Sequence, residues 1–156
     1  MKLRQYTTTA LLSICLLGFG PAHAASEHDA HHGHEPAKLT LDHGKKWSTD
    51  QALRSSMDTL RTAFGAKLHA IHQSKLSASD YQTLAASIDK EVANIVATCK
   101  LQPDADAMLH VVIGELLAGA QQMKDSEKPA AGAHQAVAAL NNYGRYFDHP
   151  GWQTLR

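Results

Sequence analysis

The chain has 156 residues, of which 15 are Lys or Arg, 15 are Asp or Glu and 11 are His. This length allows one domain and hardly two. The formal net charge of +0 argues against nucleic-acid binding, which needs a basic surface. A 44% share of hydrophobic residues supplies a core and excludes a wholly disordered chain. Composition thus indicates a small folded domain, and its high histidine content is the one strong departure from the average.

The N-terminus has the three parts of a secretory signal peptide over residues 1–24. Lys2 and Arg4 form its positive region, residues 10–19 form its apolar region, and residues 22–24 (Ala-His-Ala) offer a cleavage site. The apolar run is shorter than the roughly 18–20 residues that a membrane span needs. We therefore expect a periplasmic protein of a Gram-negative bacterium, with no membrane span after cleavage.

Cleavage would remove Cys15 and leave Cys99 as the single cysteine. It would also remove Lys2 and Arg4, which leaves 13 basic residues against 15 acidic ones. An oxidising compartment favours paired cysteines, so a single one needs an explanation. Three explanations are open: Cys99 is a buried inert thiol, it forms a disulfide between two chains of a homodimer, or it is a thiolate metal ligand. We accordingly expect a monomer or a homodimer.

Residues 41–156 have the hydrophobic periodicity of four amphipathic helices, with three- and four-residue steps between apolar side chains. Breaks at residues 77–80, 101–104 and 125–132 separate the helices, and residues 149–151 (His-Pro-Gly) end the last one. Residues 48–50 offer N-cap candidates for the first helix, residues 77–80 cap the second, and Pro103 suits the first position of the third. The apolar stripes run from Leu53 to Ile71, Tyr81 to Cys99, Leu109 to Met123 and Ala133 to Phe147. This pattern predicts an all-α fold, an antiparallel up-down-up-down four-helix bundle. Residues 25–40 lack periodicity and predict a disordered His-rich tail.

In such a bundle, the starts of helices 1 and 3 lie at the same end as the ends of helices 2 and 4. That end collects sulfur and imidazole side chains that suit Cu(I), or Zn(II) if the methionine is only a neighbour. We expect His110 to point into the bundle and to join Cys99 and Met57, although each alone also fits a core or core-edge role. The candidate metal ligands are Cys99, His110 and Met57, with His149 and Met108 as alternates.

Five histidines lie close together near the start of the mature chain: His28, His31, His32, His34 and His43. Neutral imidazoles bind Cu(II), Zn(II) and Ni(II), and clustering raises their effective concentration. The composition selects no single metal and also fits a solvated polar linker. We expect this tail to capture Cu(II) or Zn(II).

Two further features have an ordinary structural interpretation. His69 and His72 lie three residues apart, so both can reach one ion, but no HExxH motif is present and we interpret them as solvated surface residues. Gly144 lies inside the fourth predicted helix, where glycine costs about 1 kcal/mol relative to alanine. We expect close packing against it.

The stretch from Leu53 to Leu60 (LRSSMDTL) resembles the start of helix 1 in the cytochrome b562 family, in which the methionine ligates haem. This resemblance implies a four-helix bundle with Met57 as a haem-b ligand. The family's second ligand is a histidine near the end of helix 4, and here the only candidate is His149, beyond the predicted helix end. No CxxCH motif occurs, which excludes the c-type haem of the related cytochrome c-prime bundles.

Three longer stretches, residues 41–57, 99–110 and 143–152, resemble small, poorly characterised exported bacterial proteins. Related sequences accompany copper- and metal-resistance functions. The resemblance therefore implies a role in metal stress resistance, and it assigns no individual residue a role. All three stretches fall at the bundle end that the predicted topology selects.

The sequence favours a periplasmic copper-binding protein for buffering or delivery, with Cu(I) in the bundle and Cu(II) or Zn(II) on the tail. Metal ions are the expected partners, with a periplasmic metal-handling protein as a further candidate. The alternatives are a haem-b electron-transfer bundle and a non-catalytic interaction or scaffold bundle with an inert core. An enzyme is not expected, because no nucleophile–base pair or cofactor loop has a recognisable spacing.

Overall fold

Four α-helices make up the part of the chain that the computed structural model describes, residues 38–125 and 127–156. No β-strand occurs in these residues, so the predicted all-α class is confirmed. The predicted signal peptide and the tail histidines His28, His31, His32 and His34 lie outside the described residues. The helices are α1 (Gln51–His72), α2 (Ala78–Thr98), α3 (Pro103–Lys124) and α4 (Pro129–Tyr146).

The first two helices begin at polar side chains that satisfy the unpaired N–H groups of a first turn. Asp50 Oδ1 accepts a hydrogen bond from the backbone N–H of Leu53 at 2.7 Å, at the start of α1. Ser77 and Asp80 form a capping box at the start of α2. Both caps lie where the sequence predicts them, immediately before an apolar stripe.

The other two helices begin with proline, whose missing N–H is tolerated in the first turn. Pro103 begins α3, as expected. Pro129 begins α4 one turn before Ala133, so the predicted loop at residues 125–132 is too long. The glycine in this first turn, Gly132, makes the segment look like a loop, but its role is a close contact between helices.

α3 and α4 approach each other through two glycines. A Cβ on Gly119 would lie 2.8 Å from the carbonyl oxygen of Gly132, and a Cβ on Gly132 would lie 2.6 Å from the backbone nitrogen of Met123. Backbone atoms of a packed helix cannot move aside for a side chain, so overpacking here would separate the helices. Only glycine at both positions permits this spacing.

The core lies between the helices and contains the predicted apolar stripes. Met57, Phe64 and Tyr143 are among its largest fully buried side chains. Leu39 joins the core at 9% exposure, and Leu155 joins it from beyond α4. Packing against the core therefore begins before residue 41. The predicted boundary of the tail at residue 40 lies beyond Leu39, which already belongs to the core.

Polar side chains also link neighbouring helices. α1 contacts α2 and α4 but not α3 within the described residues, and α3 contacts α2 and α4. Four links are short: Asn94 Nδ2 to Ser56 Oγ (2.8 Å), Lys67 Nζ to Asp80 Oδ1 (2.9 Å), Lys124 Nζ to Asp89 Oδ2 (2.6 Å) and Gln122 Nε2 to Gln135 Oε1 (2.7 Å).

The segments that flank the helical region are tied to α4. The backbone N–H of Trp47 donates to the carbonyl of Tyr146, and that of Asp148 donates to the carbonyl of Trp47, each at 2.8 Å. The Asn141 side-chain amide bonds both the N–H and the carbonyl of Leu155, at 2.9 Å each. In the described part of the chain, no helix combines the length and apolarity needed to cross a bilayer.

Candidate functional site

A groove of about 200 Å³ between α2 and α3 brings together two predicted ligands, Cys99 and His110. Asp106, one turn before His110 on α3, lines the same groove. We call this set of three residues and its surroundings the Cys99 groove. Its other walls are apolar and consist of Ile95, Val96, Leu109 and Ile113.

Cys99 lies directly after the last residue of α2, where its backbone N–H donates to the carbonyl of Ile95 at 2.8 Å. Its side chain is half-buried. This burial, together with the neighbouring carboxylates of Asp50 and Asp106, raises the pKa of the thiol to about 11. The thiol is therefore protonated at neutral pH, and a metal ion that binds the sulfur must displace a proton.

Asp50 joins the start of α1 to the end of α2. Its Oδ2 accepts from the backbone N–H of Lys100 at 2.6 Å, while its Oδ1 accepts from that of Leu53 at 2.7 Å. Burial by itself would raise the pKa of Asp50, but these backbone N–H groups bring it below the usual value. A carboxylate anion is thus fixed beside Cys99, which opposes ionisation of the thiol.

His110 has a side chain that is 67% exposed. The prediction that it points into the bundle is therefore wrong. Its Nδ1 lies 2.8 Å from the carbonyl oxygen of Asp106 and 3.4 Å from Oδ2 of the same residue. Because a carbonyl only accepts, Nδ1 carries the proton and Nε2 of the neutral ring keeps its lone pair. Metal-binding histidines are commonly oriented in this way.

The Cys99 groove thus places a thiol, an imidazole Nε2 and a carboxylate on one surface. Within the described part of the chain, no three His, Cys, Asp or Glu side chains lie together in a group that could hold a metal ion. Side-chain rotation would have to bring the two ligands of the groove onto one ion. Exposure of the His110 ring leaves space for such a movement.

The remaining candidates within the described residues lie elsewhere. Met57 is fully buried in the core. Met108 Sδ accepts from Thr40 Oγ1 at 3.7 Å, next to the segment before α1. The His43 side chain is fully exposed, and its Nε2 lies 3.9 Å from Asp42 Oδ1. The structure does not bring these three into the Cys99 groove.

His149 lies in a separate group, which we call the His149 cluster (Asp58, Arg61, Tyr143, His149 and Trp152). His149 is buried, at 8% exposure, whereas the Asp58 side chain is exposed. His149 Nδ1 lies 3.0 Å from the Tyr143 hydroxyl, and its Nε2 lies 3.3 Å from Asp58 Oδ2. A neutral ring satisfies both contacts when Tyr143 donates to Nδ1 and Nε2 carries the proton. Both ring nitrogens are therefore engaged.

Tyr143 is the innermost member of this cluster and is fully buried. Its burial raises the pKa of the phenol far above the ordinary value, so the hydroxyl stays neutral. An Asp–His–Tyr chain resembles the arrangements that activate nucleophiles. Here the hydroxyl has no exposed surface to offer a substrate, so the chain is a structural element of the core.

Trp152 covers the cluster from the C-terminal segment. Its ring centroid lies 4.9 Å from that of Tyr143 and 5.1 Å from that of His149, and the Arg61 guanidinium lies 5.9 Å from it. A Cβ on Gly144 would overlap the indole Nε1 and Cδ1 of Trp152. The expected close packing at Gly144 is confirmed, and the neighbour is this indole.

Sequence reasoning missed Asp58 and Arg61 and did not pair Tyr143 with His149. Asp58 and Arg61 lie three residues apart on α1, with Nε and Oδ1 separated by 3.8 Å. This spacing and the aromatic residues around His149 were visible signals. They did not identify Asp58 as a partner of His149, because these two residues lie far apart in the sequence.

No protein-family model, curated protein or solved structure matches this chain. Functional inference therefore depends on the chemistry of the side chains described above.

Proposed function

We propose that this protein binds a transition-metal ion, with copper preferred, at the Cys99 groove. The observation that carries the proposal is the meeting of Cys99 and His110 from two helices in one groove. The hydrogen bond from His110 Nδ1 to Asp106 leaves Nε2 available. Thiolate and imidazole together suit Cu(I). Cys99 and His110 would be the ligands, and Asp106 would position the imidazole.

The protonated state of Cys99 makes this binding pH-dependent. Because the pKa of the thiol is about 11, Cu(I) binding at neutral pH releases one proton from the sulfur. The apparent affinity should then rise about tenfold for each pH unit while the free thiol stays protonated. Such a site would hold copper more weakly in an acidic compartment than in a neutral one.

The proposal includes an antiparallel up-down-up-down bundle. It is supported by the contact of Lys67, late in α1, with Asp80, at the start of α2. The bond between Asp50 and the backbone of Lys100 supports it from the other end of the same helix pair. In this arrangement, the start of α1, the end of α2 and the start of α3 share the end that holds Cys99.

The proposed setting is the periplasm, after removal of the signal peptide predicted at residues 1–24. The histidines between residues 28 and 43 would capture Cu(II) or Zn(II), as their clustering favours. The protein would buffer copper or deliver it to a periplasmic metal-handling protein. Exposure of His43 supports such capture, because its imidazole is open to solvent.

No feature of the described residues favours the haem-b alternative. Met57 is fully buried among core side chains, and both ring nitrogens of His149 are engaged by Tyr143 and Asp58. A bundle with an inert core and a partner-binding surface is the second possibility. It predicts no Cu(I) affinity, and non-reducing electrophoresis would reveal a Cys99–Cys99 dimer if that mode of association occurs.

The test is Cu(I) affinity of the full mature chain, residues 25–156, measured by competition with a Cu(I) chelator. We expect one tight Cu(I) per chain. Cys99→Ser should weaken binding at least about 100-fold, and His110→Gln should weaken it about 10-fold. Unchanged affinity in Cys99→Ser would overturn the proposal.

The tail histidines can bind copper themselves and so contribute to the measured affinity. The control variant must therefore be another exposed histidine of the helical region. His69→Gln fits, because His69 is exposed and does not line the Cys99 groove. Its Cu(I) affinity should match that of the parent chain. Equal losses in His110→Gln and His69→Gln would indicate unspecific imidazole binding and would also overturn the proposal.

A further inference from the structure

α1 and α4 place two exposed histidines face to face. His72 is the last residue of α1, and His134 lies near the start of α4. Their ring centroids are 6.5 Å apart and their planes differ by only 3°. Neither ring has a hydrogen-bond partner within the described residues, whereas His69 Nε2 lies 2.9 Å from the Gln73 side-chain amide.

The distance between the rings is short enough for one metal ion to bind both imidazoles. The rings must first rotate out of their stacked arrangement, because the nitrogen lone pairs lie in the ring planes. Zinc–nitrogen bonds are about 2.0–2.1 Å long, and the ring centroid lies about 1.1 Å beyond the nitrogen, so two rings on opposite sides of an ion have centroids about 6 Å apart. A bent arrangement needs a shorter separation, which rotation of two exposed side chains can supply.

The local field also favours a cation at this position. His72 lies in the last turn of α1, where the unpaired carbonyls give the helix end a partial negative charge. The three-residue spacing of His69 and His72 would let both reach one ion, but the sequence favours solvated surface residues. The structure instead pairs His72 with His134 of α4. In the sequence, α2 and α3 lie between these two histidines.

We infer that His72 and His134 form a binding site for a borderline divalent transition-metal ion that bridges α1 and α4. Neutral imidazoles bind Zn(II), Cu(II) and Ni(II), and solvent would complete the coordination shell. The site is independent of the Cys99 groove, because it uses different residues and no sulfur. An ion held there would cross-link the first and last helices of the bundle.

The test is the effect of Zn(II) on urea unfolding of the full mature chain. A ligand that binds only the native state shifts unfolding by mass action. We expect Zn(II) at about 100 times its Kd to raise the folded-to-unfolded ratio about 100-fold. The His72 and His134 variants below distinguish this shift from any effect of ions bound to other histidines. Failure of Zn(II) to shift the transition would overturn the inference.

Single and double variants then assign the site. His72→Gln and His134→Gln should each abolish most of the Zn(II)-dependent shift, and the double variant should lose no more than either single one. His69→Gln is the matched control, since His69 is exposed on the same helix, and it should keep the full shift. A loss in His69→Gln equal to that in His134→Gln would overturn the inference. Cys99→Ser should also keep the shift, which separates this site from the proposed Cu(I) site.

Discussion

Two histidines on the same small bundle illustrate opposite chemical situations. His110 is 67% exposed, bonds the Asp106 carbonyl through Nδ1 and has an open Nε2. His149 is 8% exposed, with one nitrogen facing the Tyr143 hydroxyl and the other facing Asp58. The same side chain is thus available for ligand binding in one place and committed to the core in the other.

The difference teaches that residue type alone does not identify a metal ligand. Both histidines are predicted at the same bundle end, and both were candidates on that ground. A buried polar group must find partners within the protein, because an unpaired one costs about 1–3 kcal/mol. Both ring nitrogens of the buried His149 therefore contact neighbouring side chains, whereas Nε2 of the exposed His110 is open to a ligand.

The largest expected effect on stability comes from removing the buried His149 side chain. His149→Ala would leave a cavity and an unpaired, fully buried Tyr143 hydroxyl, so we expect a loss of about 3 kcal/mol in the free energy of unfolding. His110→Ala should change it by less than about 0.5 kcal/mol, as is usual for exposed positions. Urea unfolding measures both. Equal losses would show that the two histidines do not differ in the way described.

The next effect concerns the reactivity of Cys99 beside the exposed histidine. With a pKa of about 11 in the folded chain and an ordinary value of 9.0, the thiolate fraction near pH 8 should be about 100-fold lower than in the urea-unfolded chain. Alkylation by iodoacetamide should be slower by about the same factor at one pH. Asp50→Asn should recover part of the rate, because it removes the neighbouring negative charge. An alkylation rate equal to that of the unfolded chain would contradict this description of Cys99.

A smaller effect is expected from paired glycine substitutions near the two histidines. Gly144→Ala would force the Trp152 indole away from the His149 cluster, at a cost of about 2 kcal/mol. Gly114→Ala, one turn after His110 on α3, meets no atom within 4 Å and should stabilise the chain by about 0.5–1 kcal/mol. Thermal unfolding distinguishes the two signs. Destabilisation by Gly114→Ala would mean that the exposed side of α3 is more crowded than described.

The smallest effect isolates one hydrogen bond. Tyr143→Phe removes the hydroxyl that faces His149 Nδ1 and should cost about 1–1.5 kcal/mol. Tyr146→Phe is the matched control, because its side chain is only half-buried, and it should change stability by less than about 0.5 kcal/mol. If both substitutions had the same small effect, the buried contact would contribute nothing.

Much of the fold follows from local sequence patterns. The apolar stripes, the polar residues at positions 50 and 77 and the proline at position 103 predict the helices and most of their starts. These features act over one or two turns, where side-chain period and capping chemistry decide the backbone. The start of α4 was predicted too late, because Gly132 resembles a loop residue until its contact with α3 is known.

The candidate site was less predictable. Sequence reasoning placed Cys99 and His110 at the same end of the bundle, and both line one groove. It expected His110 to point into the bundle, whereas the side chain is exposed. Because His110 is adjacent to the buried Leu109, its side chain could face either the core or the solvent. The packing of α3 against α2 determines which side of α3 is buried.

The sequence by itself determined an all-α chain, since periodicity and capping are local properties that each segment carries without its neighbours. Only the tertiary structure decided which histidines contact buried neighbours and which are exposed for ligand binding. Contacts such as Asp58 with His149, or His72 with His134, join residues far apart in the chain. Their geometry depends on the rotation of each helix about its axis, and that rotation is set by the packing of the whole core.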